Sequence, residues 1–363
     1  MNRRTTTLIV VVVAVSAGVY AITWWQRSRE TQRLLTDLQD RNHAVATEAL
    51  EGLRARAPAI RDELLTMLAG GDNLTRWRAA DLLGFAGGPG VRAALTAALD
   101  DGYPDVRLNA ALSLGRLKAR EAAGRIALMA QDPDEELPVR IAAVNALRLL
   151  RAEDQLDALI ALVEARPAPP PAEEKVAAEP APAAATPAAP VPPTPAAAEP
   201  PAPPPDDTWL LRVAAVQTVG ILAPAAQMRR MPEEPEVPAE DQTDTAPEPE
   251  PAGPASRALT VLTAAADPEQ EPNANVRQAA CYALGDLLGL LAPDDETTSA
   301  TIQVLLRALR DEASEVRIAA VHTLNIIPVP PADLPVVQDA LAEALNDDHY
   351  WVRQAAMEAT QGG

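Results

Sequence analysis

The chain has 363 residues, of which 51 are acidic and 31 are lysine or arginine, for a formal net charge of −20. Nearly half of it is apolar (48%), yet aromatic residues make up only 3% and there is one cysteine. This balance excludes an internal disulfide framework, disfavours nucleic-acid phosphates as a partner, and leaves alanine, leucine and valine to build the core.

The first element is a short basic tail, residues 1–7, carrying Arg3 and Arg4. It leads into an uncharged run from Leu8 to Trp25 that closes on Trp24 and Trp25, ahead of Arg27 and Arg29. These eighteen residues, at about 1.5 Å each, make a helix of about 27 Å, enough for a bilayer core. Paired tryptophans followed by arginine suit a membrane interface. Residues 8–25 therefore read as a retained single-pass anchor and 26–36 as a juxtamembrane segment. The alternative is a cleaved signal peptide, with V-S-A ending at Ala17 or V-Y-A ending at Ala21 as the cleavage site. A short basic tail is the layout of N-in insertion. It places the rest of the chain on the outer (periplasmic or extracellular) side of the cell membrane. Arginines on both flanks leave the cytoplasmic side open.

From about residue 37 one pattern recurs: apolar, Arg, two variable residues, two small residues, two variable residues, Leu or Val, often Gly. It stands at Val106–Gly115 and Val276–Gly285, and its arginine recurs at Arg76, Arg107, Arg140, Arg212, Arg277, Arg317 and Arg353. Six residues earlier lie Asp101, Asp134, Asp206, Glu271, Asp311 and Asp347 for the last six copies, whereas the first has Gly70. Eight residues later stand Gly84, Gly115, Gly220 and Gly285, and nine later Gly362 in the last copy, with Arg148 and Asn325 as exceptions. Asp37 and His43 mark a degenerate earlier copy.

Two arginine spacings are long because sequence is inserted. Residues 167–205 hold 16 prolines, and residues 231–254 hold eight acids and no base. The first composition predicts an extended, semi-rigid segment and the second a disordered one. One leaves between the two helices of a unit and the other after a second helix, so the two are expected to leave on opposite edges. Each unit is predicted to be two helices, as in Arg120–Ala130 and Leu137–Leu150 around a polar turn. Such a period means stacked helix pairs: an all-α solenoid of about seven to eight pairs. Repeats are expected over 37–166 and 255–363, with helices over 206–230.

The V-R-x-x-A-A-x-x-L-G signature resembles that of HEAT-repeat proteins, of the short type also found in phycobilisome bilin lyases. The resemblance covers roughly residues 37–363 less the insertions, and it specifies the fold far better than the function. It implies a ladder of polar contacts in which Asp101 pairs with Arg107, Asp134 with Arg140, and so on through Asp206 and Arg212, Glu271 and Arg277, Asp311 and Arg317, Asp347 and Arg353. An arginine among apolar helices needs such a partner. The rival reading of the row, Arg76 included, is a site for phosphate or carboxylate. The resemblance also implies that the second helices line a concave side. A polar column there comprises Asp81, Asn145, Gln217, Tyr282, His322 and Glu358, with Phe85, Asn109 and Arg116 nearby. It is the candidate partner-binding face; the bland alternative is a solvated face with no ligand.

Catalysis has no support in the sequence. His43, His322 and His349 fall in different repeats, no Cys/His spacing suits zinc, and Gly84–Gly90 reads as a loop between helices. No enzyme activity, cofactor or metal is expected, and no nucleic acid. The reading is a membrane-anchored scaffold that binds a protein partner through its concave face. The alternatives are an enzyme-associated role like that of bilin lyase subunits, or a passive spacer in the cell envelope.

Overall fold

Alanine and leucine at helical spacing, punctuated by polar turns, favour short amphipathic helices over strands. The computed structural model describes residues 3–165, 208–230, 253–291 and 295–361, and every regular element among them is helical. The expected insertion 167–205 lies outside the described residues, as does nearly all of 231–254.

The chain opens with α1 (Arg3–Asp37) and α2 (His43–Arg54). Seven helix pairs follow among the described residues: α3 (Arg61–Gly70) with α4 (Asn73–Ala86), α5 (Val91–Ala98) with α6 (Pro104–Arg116), α7 (Ala123–Gln131) with α8 (Leu137–Leu150), α9 (Leu156–Glu164) with α10 (Thr208–Arg230), α11 (Pro254–Ala266) with α12 (Ala274–Leu291), α13 (Asp295–Ala308) with α14 (Ser314–Ile326), and α15 (Leu334–Ala344) with α16 (Tyr350–Gln361). The predicted helix 120–130 is a 3₁₀ turn over Arg120–Ala122 followed by α7.

Local chemistry sets the helix ends. Asp72 accepts the Thr75 N–H at 2.8 Å and caps α4, and Asn42 accepts the Ala44 N–H at 3.1 Å and caps α2. Pro104 and Pro138 occupy first-turn positions where the missing N–H is harmless. Gly87, Lys118 and Arg151 stand eleven residues after successive repeat arginines, all with positive φ where a helix closes, Arg151 in the left-handed helical conformation.

Each second helix packs on its own first helix and on the second helices before and after it. The core column is small: Val106, Ala110, Ala111 and Leu114 are all 0% exposed. The recurrent glycine is the point of closest approach. A Cβ on Gly220 would fall 2.8 Å from Ala283 Cβ, and one on Gly84 would fall 2.5 Å from Ser113 Oγ. Small side chains therefore bring the axes together, and each interface contributes a modest amount that the stack sums.

The two ends of α1 are in different surroundings. Leu35 and Leu38 are buried against the first repeat, and Leu34 lies under Gly52. Residues 20–30, by contrast, are exposed without a break, Tyr20, Ile22, Trp24 and Trp25 among them. The backbone of α1 runs unbroken through both the expected anchor 8–25 and the segment 26–36. Among the helices searched for membrane-crossing length and composition, Thr208–Arg229 within α10 qualifies. There Leu211, Arg212, Ala215, Val216 and Val219 are buried, as befits a core helix of the stack.

Candidate partner-binding face and polar ladder

The ladder starts from the turn before each second helix. Asp101 accepts the Tyr103 N–H at 2.9 Å, Glu271 the Asn273 N–H at 3.0 Å, Asp311 the Ala313 N–H at 2.9 Å and Asp347 the His349 N–H at 2.8 Å. Each acid thus shapes its own turn by a local side-chain bond. Its other lone pairs take a guanidinium, and that guanidinium comes from the preceding repeat. Arg76 reaches Asp101 at 2.8 and 2.7 Å, Arg277 reaches Asp311 at 2.6 and 2.7 Å, and Arg317 reaches Asp347 at 2.9 and 2.8 Å. Arg212 likewise grips Glu271 with two nitrogens. These are bidentate forks, the strongest geometry for this pair.

The expected pairing inside one repeat is therefore corrected to a pairing between repeats. Within its own repeat the arginine bonds the backbone carbonyl of the acid instead of its carboxylate. Arg107 donates to Asp101 O at 2.8 Å, Arg277 to Glu271 O at 2.9 Å, Arg317 to Asp311 O at 2.9 Å and Arg353 to Asp347 O at 2.7 Å. Asp134 is a second correction. It is exposed, and Glu135 takes its place, receiving Arg107 at 2.7 and 2.5 Å. One residue nearer the helix and one methylene longer, Glu135 reaches the same guanidinium. Arg140, expected to pair with Asp134, donates to Ala130 O at 3.0 Å, and Asp206, expected to pair with Arg212, lies outside the described residues.

This topology explains the irregular first copy. An acid is needed only where the preceding repeat supplies an arginine, and before Gly70 that position is His43. Arg76 bonds Gly71 O at 3.1 Å in its own repeat. The Arg76 guanidinium on Asp101 holds that carboxyl below its ordinary range. Burial would raise Glu135, Asp267 and Asp347, but hydrogen bonds from Arg107, Arg307 and Arg317 respectively, together with backbone N–H bonds and the charges of those arginines, outweigh it and hold them low.

Gln217, Tyr282 and Glu358 on the predicted column are exposed, as are Phe85 and Arg116; Asn109, Asn145 and His322 are half-buried. Asp81 does not belong to the exposed face. It is 5% exposed because Arg116 Nη1 binds it at 2.7 Å and Arg54 Nη2 approaches to 3.7 Å. Single-repeat patterning carries no sign of this, since both arginines come from other helices. Ser113 and Thr323, packed against Gly84 and Gly285 at the close approach, donate to Ala80 O and Cys281 O at 2.8 and 2.9 Å. Burial pushes the Cys281 thiol up to about 12, which makes it a packing residue.

Among known proteins, the chain matches the HEAT repeats family over residues 93–174 and 259–361, half of its length. No curated protein matches it. Among solved structures it is similar to importin beta, at TM-score 0.55 and 15% identity, covering 95% of this chain and 42% of that one. YibA of Escherichia coli aligns at TM-score 0.49 and 15% identity over 91% of this chain and 92% of that one. The complex of CpcE and CpcF of phycocyanin lyase from Nostoc sp. PCC7120 aligns at 0.37 and 17%, over 82% and 92%. The likeness to importin beta is one of fold, and the two lower scores carry no argument. With its repeated helix pairs, its Arg–acid ladder and a family match over half its residues, the chain belongs to the HEAT repeats family.

Proposed function

We propose that this chain is a single-pass membrane scaffold that holds a protein partner along the exposed face of its second helices. The observation that carries the reading is α1. It is exposed over residues 20–29 with two tryptophans, a tyrosine and an isoleucine in the open, and then meets the solenoid without a break, Glu30 pairing with Arg56 at 2.7 Å. Apolar and aromatic side chains grouped in this way are stable in a bilayer and its interface. Arg29 lies 4.1 Å over the Trp25 ring, a pairing suited to the headgroup level. The short basic tail favours N-in insertion, with the solenoid on the outer side.

The partner is a protein because Gln217, Tyr282 and Glu358 are exposed on a face that runs over successive repeats. Hot spots favour tyrosine and arginine on a rigid frame of this kind. The reading assigns no chemical step to the chain.

The test uses the full-length protein in its own membranes. It should resist extraction by salt and high pH, while a chain starting near Ser28 should be soluble. A photo-reactive residue at Tyr282 or Gln217 should crosslink to the same protein reproducibly. Recovery of no protein from either position would favour a passive spacer. A mature N-terminus at Gly18 or Ile22 would replace the anchor with a cleaved signal.

A further inference from the structure

The beginning of the second-helix face differs in charge from the rest of this acidic chain. Two arginines meet there around one carboxylate, and a third lines the same pocket. Asp81, 5% exposed, holds Arg116 Nη1 at 2.7 Å and has Arg54 Nη2 at 3.7 Å. Arg54, Arg78 and Asp81 line one pocket of about 290 Å³, together with His43, Leu50 and Trp77. Arg78 is only 3% exposed, and its hydrogen bonds go to the neutral carbonyls of Leu38 and Asp40 at 2.7 and 2.8 Å. Arg54 donates no hydrogen bond within the described residues. The carboxylates of Asp72 and Asp40 act on Arg78, so Arg54 and Arg116 carry one positive charge more than Asp81 balances. Arg54, with N–H donors unused among the described residues beside a carboxylate already bound by Arg116, is therefore open to a second anion.

Aromatic rings stand next to this charge. Phe85, the one phenylalanine of the chain, is 40% exposed, with Arg54 and Arg116 at 5.5 and 4.9 Å from its ring centre. Arg78 lies 5.4 Å from the Trp77 ring. The apolar surfaces are thus held within a few ångströms of cationic groups, of which Arg54 has no hydrogen-bond partner among the described residues. A simple inorganic anion uses the cations and leaves the rings uncovered. A ligand with a carboxylate beside an apolar side chain uses both.

We propose that this pocket and the adjoining Phe85 bind an acidic peptide segment of the partner protein, with carboxylates on Arg54 and Arg116 and an apolar side chain on Phe85 and Trp77. The proposal rests on the scaffold reading and adds the chemistry of the partner to it. A peptide is favoured over a lipid surface because two of the three guanidiniums are recessed, Arg78 being closed off and Arg116 32% exposed and held on Asp81, which leaves Arg54 alone in the open. Lipid headgroups are met by protruding basic side chains.

The probe is a fluorescein-labelled synthetic peptide of alternating glutamate and leucine, titrated by anisotropy against the full-length protein in phosphatidylcholine nanodiscs. Binding should weaken with salt, and about tenfold or more in Arg54→Gln, which removes a charged donor. Phe85→Ala, which leaves every charge in place, should weaken the glutamate–leucine peptide to the level of a glutamate–serine peptide. Both positions are exposed, and an unchanged melting curve will show that each variant folds. Absence of binding, or binding indifferent to both substitutions, would overturn the proposal. So would phosphatidylserine vesicles that bind through Arg54 while the peptide does not. If the peptide fails while crosslinks from Tyr282 still capture a protein, the scaffold reading stands and the acidic-peptide site alone is lost.

Discussion

Replacing Arg212 by alanine removes one guanidinium that ties together three separate stretches of chain. Its Nε donates to Val163 O at 3.2 Å, ahead of residues 166–207, and its Nη1 donates to Glu271 at 3.0 Å, beyond residues 231–252. The two side chains are 3% and 0% exposed. After the substitution Glu271 keeps the Asn273 N–H at 3.0 Å as its donor. A carboxylate left ionised in such a place costs about 3–5 kcal/mol, a large share of the roughly 5–15 kcal/mol that holds a domain folded. Two comparisons set the scale. Arg317→Ala should cost less, because its side chain is 11% exposed and Asp347 is 13% exposed. Arg310→Ala breaks a pair exposed to 79% and 72%, and should cost under about 1 kcal/mol. The double change Arg212→Met with Glu271→Leu should recover most of the loss, since a buried pair replaced by apolar groups is often neutral. Urea unfolding followed by circular dichroism measures all four. Hydrogen exchange should show α10 and α12 opening first, because repeats are stabilised by their neighbours. A cost for Arg212→Ala no greater than that for Arg310→Ala would refute the structural role of the ladder.

Gly220→Ala should destabilise by about 1–3 kcal/mol, because the added methyl falls 2.8 Å from Ala283 Cβ. Gly289→Ala, where nothing lies within 4 Å, should instead stabilise by up to about 1 kcal/mol through helix propensity. Thermal melts that rank the two alike would contradict the close approach. Acid should act through the ladder carboxylates. Asp101, Glu135 and Asp347 are held below their ordinary values of 3.8, 4.5 and 3.8 in the folded chain. Their contribution is therefore complete above those values and is lost as pH falls through the lower folded ones. The melting temperature should be level from about pH 7 to 5 and fall below about pH 4. Asp101→Asn should flatten that fall, and an equally steep fall in the variant would mean that other carboxylates govern it.

The repeat was legible because its physics is local. The residue before each arginine and the small pair after it lie on one helix face, and a helix keeps that spacing whatever it packs against. The recurrent acid and glycine were visible too, but their roles depend on the next repeat. From Asp101 and Arg107 alone nothing distinguishes a bond within the repeat from one to its neighbour, because both residues flank the same turn. The choice follows from the stack: the guanidinium points on toward Glu135, while Asp101 faces back toward Arg76. Asp134 misled because it keeps the spacing while Glu135 does the binding. Asp81 misled for a related reason. Its polar character suggested solvent, yet Arg54 and Arg116 come from helices 27 and 35 residues away to cover it. Periodicity reads a helix face well and reads what lies across from it poorly.

The same logic explains how the stack continues across interruptions in its sequence. The rung from Arg76 to Asp101 joins residues 25 apart and that from Arg277 to Asp311 joins residues 34 apart, whereas Arg212 to Glu271 spans 59. Loop closure grows only logarithmically with length, so each doubling adds about 0.6 kcal/mol. Breaking the Arg212 rung costs several times that, by about 3–5 kcal/mol. The interface between α10 and α12 is also among the most extensive in the stack. Added chain between α10 and α11 is therefore a minor cost beside the contacts that re-form beyond it. Selection has correspondingly little reason to shorten such a segment and strong reason to retain Arg212, Glu271 and Gly220. The register of the solenoid resides in those contacts rather than in the length of the connections.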